Sequence, residues 1–469
     1  MLNNSGIPLA ISSLQQQYAA GTFSPKDVVE AIIAELATRG DDGIWIYTLP
    51  EEELRSRAFS LEKSIDKTLP LWGIPFSIKD CIDVAGLPTS AGCPDFVYTA
   101  THTNPTVQNL LDAGAILIGK TNLDQFATGL VGIRTGYTVP HNAFSKDYIP
   151  GGSSSGSALS VVVGLVSFSL GTDTGGSGRV PAGFNNIVGL KPTKGLLSTA
   201  HTVEACKTLD CISIFALTAN DAQRVFETAQ SYDPMHAFSR EMSEPLKSYG
   251  PEQSFRFGVP RPDQREFFGN ADVERLYEEA IATLVAIGGT CQEIDYGPFL
   301  EANELLFNGP WVAERYASVG SFAEASPEAV FPTTREILSK AKNITAVDAF
   351  EGLYAVEALK RRSQPLWDEV DVLVVPTAGT IYRIDEVVAE PLRLNANLGY
   401  YTNFVNLLDL CAIALPNGFQ SNGLPSGVTL IAPPYSEPYL TKVGEAFRTI
   451  RSSNNHNSQL GATPFRLTV

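Results

Sequence analysis

The chain is poor in metal-binding and charged side chains. Its five histidines fall into no HExxH or related spacing, and its six cysteines, at positions 81, 93, 206, 211, 291 and 411, include no CxxC pair. A structural zinc site, a disulfide framework and metal catalysis are therefore not expected, and the thiols are expected to be reduced. Charged residues make up only 18% of the 469 positions, and the balance is acidic, with a formal charge of -17. Binding to nucleic acid draws on clustered Lys and Arg, so a nucleic-acid partner is disfavoured. Long apolar runs are missing as well. The oiliest stretch, Leu159 to Leu170, is broken by Ser160, Gly164, Ser167 and Ser169, and Met1 to Asn4 place no basic segment ahead of an apolar one. These absences predict a cytoplasmic protein with no membrane segment.

What is present suits a compact enzyme with ordered loops: 44% hydrophobic residues, with 39 glycines and 30 prolines that follow no period. Helices are predicted over 11–19, over 24–36 with Ser24 and Pro25 at the start, and over 51–65. From Trp72 onward, predicted strands at 73–78, 115–118 and 167–170 alternate with helices at 105–112 and 158–165, which favours an α/β sheet. Residues 1–65 read as a helical layer integrated with the main core, 66–445 as the catalytic unit with a helical insertion around 235–365, and 446–469 as a loosely held tail. Within the unit, 233–262 reads as a polar surface insertion, 371–376 and 427–432 as strands, and 400–410 as a helix.

Three segments carry the chemistry. Gly151-Gly152-Ser153-Ser154-Ser155-Gly156 and Gly171-Thr172-Asp173-Thr174-Gly175-Gly176-Ser177-Gly178-Arg179 set glycine-rich backbone around serines, and Gly73-Ile74-Pro75-Phe76-Ser77-Ile78-Lys79-Asp80 ends an apolar strand on a lysine. A serine hydroxyl is a weak nucleophile without a base, and exposed N–H groups beside it suit an oxyanion. The phosphate-loop order GxxxxGK[ST] is not matched.

These segments resemble the amidase signature family, over roughly residues 10 to 440. The resemblance implies a large mixed β-sheet covered by helices and a triad of Ser177 as nucleophile, Ser153 as proton relay after a cis Gly152–Ser153 bond, and Lys79 as base. The N–H groups of Thr174, Gly175, Gly176 and Ser177 would form the oxyanion hole. Asp173 and Arg179 would brace the nucleophile's loop by charge-assisted hydrogen bonds, and the stretch from Asn185 to Thr193 would shape the back of the site. No cofactor is implied, and a homodimer is.

The likeness is closer to the allophanate hydrolase branch, through residues 124–132, 309–316 and 401–410. Allophanate is a small urea carboxylate, and the branch places Arg315 against its carboxylate, with Phe307, Gly129 and Tyr316 as further substrate contacts. Phe307 stands where the branch has a tyrosine, which implies one substrate hydrogen bond fewer. Gly175 and Gly183 stand where it commonly has alanine, which implies a slightly roomier or altered pocket. Another small ureido acid or carboxylated amide is the neighbouring alternative. A glutamine-dependent amidotransferase component, which shares Lys79, Ser153 and Ser177, is the alternative of a different class.

Overall fold

The computed structural model describes residues 7–64, 66–243 and 254–453. Its strands, in chain order, are β1 (Trp45–Thr48), β2 (Pro75–Lys79), β3 (Pro88–Thr89), β4 (Tyr98–Thr99), β5 (Ile116–Thr121), β6 (Phe168–Asp173), β7 (Val188–Lys191), β8 (Cys211–Ala216), β9 (Phe255–Pro260), β10 (Gly289–Ile294), β11 (Val372–Pro376), β12 (Cys411–Phe419) and β13 (Pro425–Ala432). β3 and β4 pair with each other, and the other strands form one 11-stranded mixed sheet in the order β1-β5-β2-β6-β8-β7-β12-β13-β11-β9-β10. Helices flank it, as the α/β expectation required. Among the described residues no helix is long and apolar enough to cross a membrane.

The part of the sheet that matters for the site is the parallel trio β5, β2 and β6. All three strands are buried along their whole length, and Phe76 of β2 stacks on Phe168 of β6 with ring centroids 5.1 Å apart. Parallel neighbours end on the same edge, so the last residues of β2 and β6 emerge side by side, the usual place for a site in such sheets. The helix Ser155–Val162 covers them and is buried at every position. Small residues let it sit that close: a Cβ on Gly156 would lie 2.3 Å from the Ile44 carbonyl oxygen. Its serines are not wasted polarity, because Ser160 Oγ lies 2.9 Å from Ser77 Oγ, which in turn donates to Ser169 Oγ at 2.7 Å.

Several elements follow the sequence closely, among them the helices Ile11–Ala19, Pro25–Arg39 with its Ser24 capping box, and Pro105–Asp112. Four expectations need revision. The first 65 residues are not only helical, since β1 pairs antiparallel with β5 at the sheet edge. The region around 235–365 is not a helical insertion alone. Its residues 255–260 and 289–294 are β9 and β10, and β9 joins β11 in parallel, driven by the buried Phe255, Phe257 and Val259. Between 400 and 410 only Phe404–Leu407 is helical. The tail expected from 446 begins inside the helix Glu437–Ser453, which buries Leu440, Val443 and Phe447. Arg451, read as part of a polar tail, is buried, with Nε donating to the Asn417 carbonyl at 2.9 Å and Nη1 meeting Glu279 at 3.1 Å. Residues 244–253 and 454–469 lie outside the described residues.

Removing a fully buried phenyl ring leaves a cavity as well as a transfer loss, so Phe447→Ala should destabilise the fold by about 3–5 kcal/mol in urea denaturation. A change below about 0.5 kcal/mol would return residue 447 to a surface tail.

Candidate active site

Lys79 closes β2, and Thr172 and Asp173 close β6. The fully buried Lys79 Nζ donates to Ser153 Oγ at 2.8 Å and to Thr172 Oγ1 at 2.7 Å. Burial pushes its pKa down from the ordinary lysine value, outweighing Cys81, Asp210, Asp124 and Asp173, which pull the other way. Its sequence neighbour Asp80 is not its partner. That carboxylate pairs with the buried Lys120 at 3.1 Å and accepts from Ser90 at 2.6 Å.

The Gly152–Ser153 peptide is cis. The Ser153 carbonyl accepts from Asp124 N at 2.9 Å, and the Asp124 carboxylate in turn takes the N–H groups of Val131, Gly132 and Arg134 at 3.2, 2.9 and 2.9 Å. Asp124 thus ties the loop that carries Gly129 to the loop that carries Ser153.

Ser177 sits at 3% exposure in the turn after β6. Its Oγ donates to the Gly129 carbonyl at 3.5 Å. It makes no hydrogen bond to Ser153 among the described residues, so the direct Ser153–Ser177 link that a relay needs is not formed in this side-chain arrangement. Asp173 and Arg179 form a two-pronged pair in this loop at 2.9 and 3.0 Å. Burial opposes the charge on Asp173, but Arg179, helped by Lys191 and the Gly178 N–H, holds its carboxyl below the usual range.

The expected oxyanion donors divide. Gly176 N–H is spent on Asp173 Oδ1 at 2.9 Å, whereas the N–H groups of Thr174, Gly175 and Ser177 have no acceptor among the described residues. Thr174 is fixed through its hydroxyl, which donates to Asp210 at 2.5 Å. Burial pushes the Asp210 carboxyl up to about 6, against the pull of Thr174, two backbone N–H groups and Arg315.

Arg315 is buried, 2% exposed, on the helix Trp311–Ala325. Its guanidinium lies over the Phe307 ring, 5.1 Å from the centroid, and Nη1 reaches Thr128 Oγ1 at 3.4 Å. It forms no ion pair among the described residues, and its Nε is buried without a partner. A second buried guanidinium, Arg134, donates to the Thr128 carbonyl at 3.1 Å. Burial, and then the charge of Arg315, lower the Arg134 pKa, with Asp124 opposing. This corner of the site holds two cations close to one another. Tyr316, in contrast, turns its hydroxyl to Glu324 on its own helix and does not join Arg315.

The pocket is not roomier at its two extra glycines. A Cβ on Gly175 would lie 2.4 Å from Leu306 Cδ2 and 3.0 Å from Asn403 Oδ1, and one on Gly183 would lie 2.8 Å from Thr377 Cγ2. Larger neighbours have already taken that space. Lys191, behind the site, donates to the Pro192 carbonyl at 2.7 Å. Sequence reasoning did not single out Thr172, Asp124, Asp210 or Asn406. Thr172 and Asp124 stand inside the quoted motifs, where their role was open to notice. Asn406, which donates to the Asp173 carbonyl at 2.7 Å, likewise stands in the 401–410 segment, whereas Asp210 joins the site only through the fold.

The sheet, with a buried lysine at the end of β2 paired to a serine in the loop before the helix Ser155–Val162, defines an amidase-type site, and the chain belongs to the amidase family: the Amidase family model matches residues 27–440. Among its relatives, the urea amidolyase of Saccharomyces cerevisiae is 43% identical over 412 residues, 87% of this chain and 22% of that protein. The structure of Kluyveromyces lactis allophanate hydrolase is 38% identical with a TM-score of 0.92, over 99% of this chain and 76% of that one. A glutamyl-tRNA(Gln) amidotransferase subunit from Acidobacterium capsulatum is 31% identical over 421 residues, 82% of this chain and 86% of that protein. The chain thus spans about a fifth of the urea amidolyase it resembles.

Gly152 packs against the loop tie itself, because an added Cβ would lie 2.1 Å from Asp124 Oδ2 and 2.4 Å from Gly132 N. Gly152→Ala should displace Ser153 and lower kcat/KM by about 100-fold or more on any amide the enzyme hydrolyses. Wild-type kinetics in that variant would show that the tie does not position the serine.

Proposed function

We propose that the protein is a serine-dependent amide hydrolase acting on allophanate, with Ser177 as nucleophile, Ser153 as relay and Lys79 as base. The observation that carries the proposal is the buried Lys79 amine, hydrogen-bonded to Ser153 and bearing no carboxylate partner among the described residues. An amine in that setting favours its neutral form and is able to take a proton.

In the proposed reaction, Ser177 Oγ bonds to the substrate's terminal carbonyl carbon as its proton passes through Ser153 to Lys79. The Ser177 hydroxyl rotates from Gly129 to Ser153 for this step. The N–H groups of Thr174, Gly175 and Ser177 receive the oxyanion. Collapse breaks the C–N bond, and the proton on Lys79 returns through Ser153 to the leaving nitrogen, which departs as ammonia. Water then adds to the acyl-enzyme with the same base, the ester bond breaks, Ser177 regains its proton, and N-carboxycarbamate leaves to decay to ammonia and carbon dioxide. Arg315 would hold the substrate carboxylate, since a buried guanidinium without an anion partner suits a two-oxygen ligand. A cytoplasmic homodimer, as the resemblance implies, belongs to the same proposal.

The likeness to the glutamyl-tRNA(Gln) amidotransferase supports glutamine as a second candidate ammonia source, so the assay includes it. Ammonia release from allophanate should be robust, lost in Ser177→Ala, and little affected by urea, biuret or glutamine as competitors. Clear activity on glutamine or another amide with none on allophanate would overturn the substrate assignment and leave the triad standing.

Two further outcomes test the roles. Lys79→Ala should lower kcat by about 100- to 10,000-fold. In the wild type, kcat/KM should fall toward acid as Lys79 takes up a proton, with a midpoint below the ordinary lysine value of 10.5. An acid limb unchanged in a residually active Lys79 variant would assign that titration elsewhere. Arg315→Met should lower kcat/KM for allophanate by roughly 100-fold while sparing an uncharged amide; equal losses on both would make Arg315 a structural residue.

A further inference from the structure

The segment 401–410 was singled out by its sequence, yet the triad uses none of it directly. In the structure it wraps the Ser177 loop. Thr402 Oγ1 donates to the Gly175 carbonyl at 2.7 Å, the Thr402 carbonyl accepts from Arg179 at 3.1 Å, and Asn406 donates to the carbonyls of Asp173 and Leu209 at 2.7 and 2.9 Å. Asn403 is different. Its side chain makes no hydrogen bond among the described residues, and Oδ1 is buried without a partner although the residue is only 6% exposed. A buried amide oxygen left unpaired is destabilising, so an unused one calls for an explanation.

Its position supplies one. Asn403 lines a cavity of about 650 Å³ together with Asn303, Phe307 and Tyr400. Phe307 is the ring under Arg315, and Oδ1 lies 3.0 Å from where a Cβ on Gly175 would stand. Asn403 Oδ1 therefore sits beside the Gly175 segment of the Ser177 loop, and its residue shares a cavity wall with Phe307, the ring under Arg315. Allophanate has its carbonyl at one end, its carboxylate at the other, and a single N–H between them. Phe307 offers that N–H no oxygen.

We infer that Asn403 is a specificity residue whose Oδ1 accepts the internal N–H of the substrate, favouring ureido acids over carboxylated amides that carry a methylene in its place. The inference rests on the allophanate reading above. Asn303 Oδ1 is also buried and unpaired in this cavity, but its amide is anchored on the Tyr400 carbonyl and no contact places it beside Gly175.

Malonamate, which is allophanate with CH2 for the internal N–H, separates the possibilities. In Asn403→Ala and Asn403→Leu, kcat/KM for allophanate should fall by about 10- to 100-fold, more in the leucine variant because it keeps water from filling the gap. The inhibition constant of malonamate against allophanate should move by less than about threefold, since its methylene never used the acceptor. Rates are normalised to Ser177 titrated with a fluorophosphonate, so unfolded chain does not count. Parallel losses for both ligands, no loss for either, or the same discrimination appearing in Asn303→Ala instead would overturn the inference. A wild type that ignores allophanate but hydrolyses another amide would overturn the substrate reading itself, and this inference with it.

Discussion

The amine of Lys79 must lie away from water and still be free of a counter-ion, and much of the architecture around it serves that constraint. A lysine in apolar surroundings loses its proton readily, but a single carboxylate at contact distance would restore it. Three aspartates act on the amine, Asp210, Asp124 and Asp173, and each of them, like the sequence neighbour Asp80, is already engaged. Asp80 is drawn off by Lys120 and Ser90, Asp173 by Arg179, Asp124 by three backbone N–H groups, and Asp210 by Thr174 and the N–H groups of Ala205 and Cys206. Among the described residues, the hydroxyls of Ser153 and Thr172 are the hydrogen-bond partners left to the amine. Each carboxylate that is held off the lysine also fixes a piece of the site: Asp173 and Asp210 the Ser177 loop, Asp124 the Ser153 loop.

The second half of the chain completes the site rather than standing apart from it. β12 and β13 extend the sheet past β7, and the segment that leads into β12 lays Thr402 and Asn406 across the Ser177 loop. Arg315 arrives from a helix between β10 and β11. Residues separated by more than 200 positions therefore share one pocket of a few side chains, and the order of the sheet is what brings them together.

The three residues proposed for catalysis stood out in the sequence because each sits in a short local pattern: a lysine ending an apolar strand, and serines in glycine-rich turns. The Asp173–Arg179 brace was legible for the same reason, since its partners are six residues apart in a loop that must fold back on itself. What failed depended on contacts that no local pattern encodes. β9 follows a polar stretch and reads as surface until β11 and β10 are placed on either side of it. Tyr316 follows Arg315 directly, but on a helix adjacent residues point about 100° apart, so one faced the site and the other Glu324. Gly176 looked like an oxyanion donor until the Asp173 carboxylate claimed its N–H. The size of the pocket at Gly175 was unreadable without Leu306, which comes from a helix 130 residues downstream in sequence and is wholly buried.

That last contact has a consequence for how the pocket changes over evolutionary time. With the Leu306 methyl 2.4 Å from the Cβ an alanine would bring, and Thr377 similarly placed at Gly183, neither glycine is free to grow on its own. A chain with alanine at 175 has to carry a smaller or differently turned side chain at 306, so the two positions are expected to mutate as a pair. A library that varies one residue at a time would miss those combinations, and a search for altered amide preference is better begun by randomising 175 with 306 and 183 with 377 together.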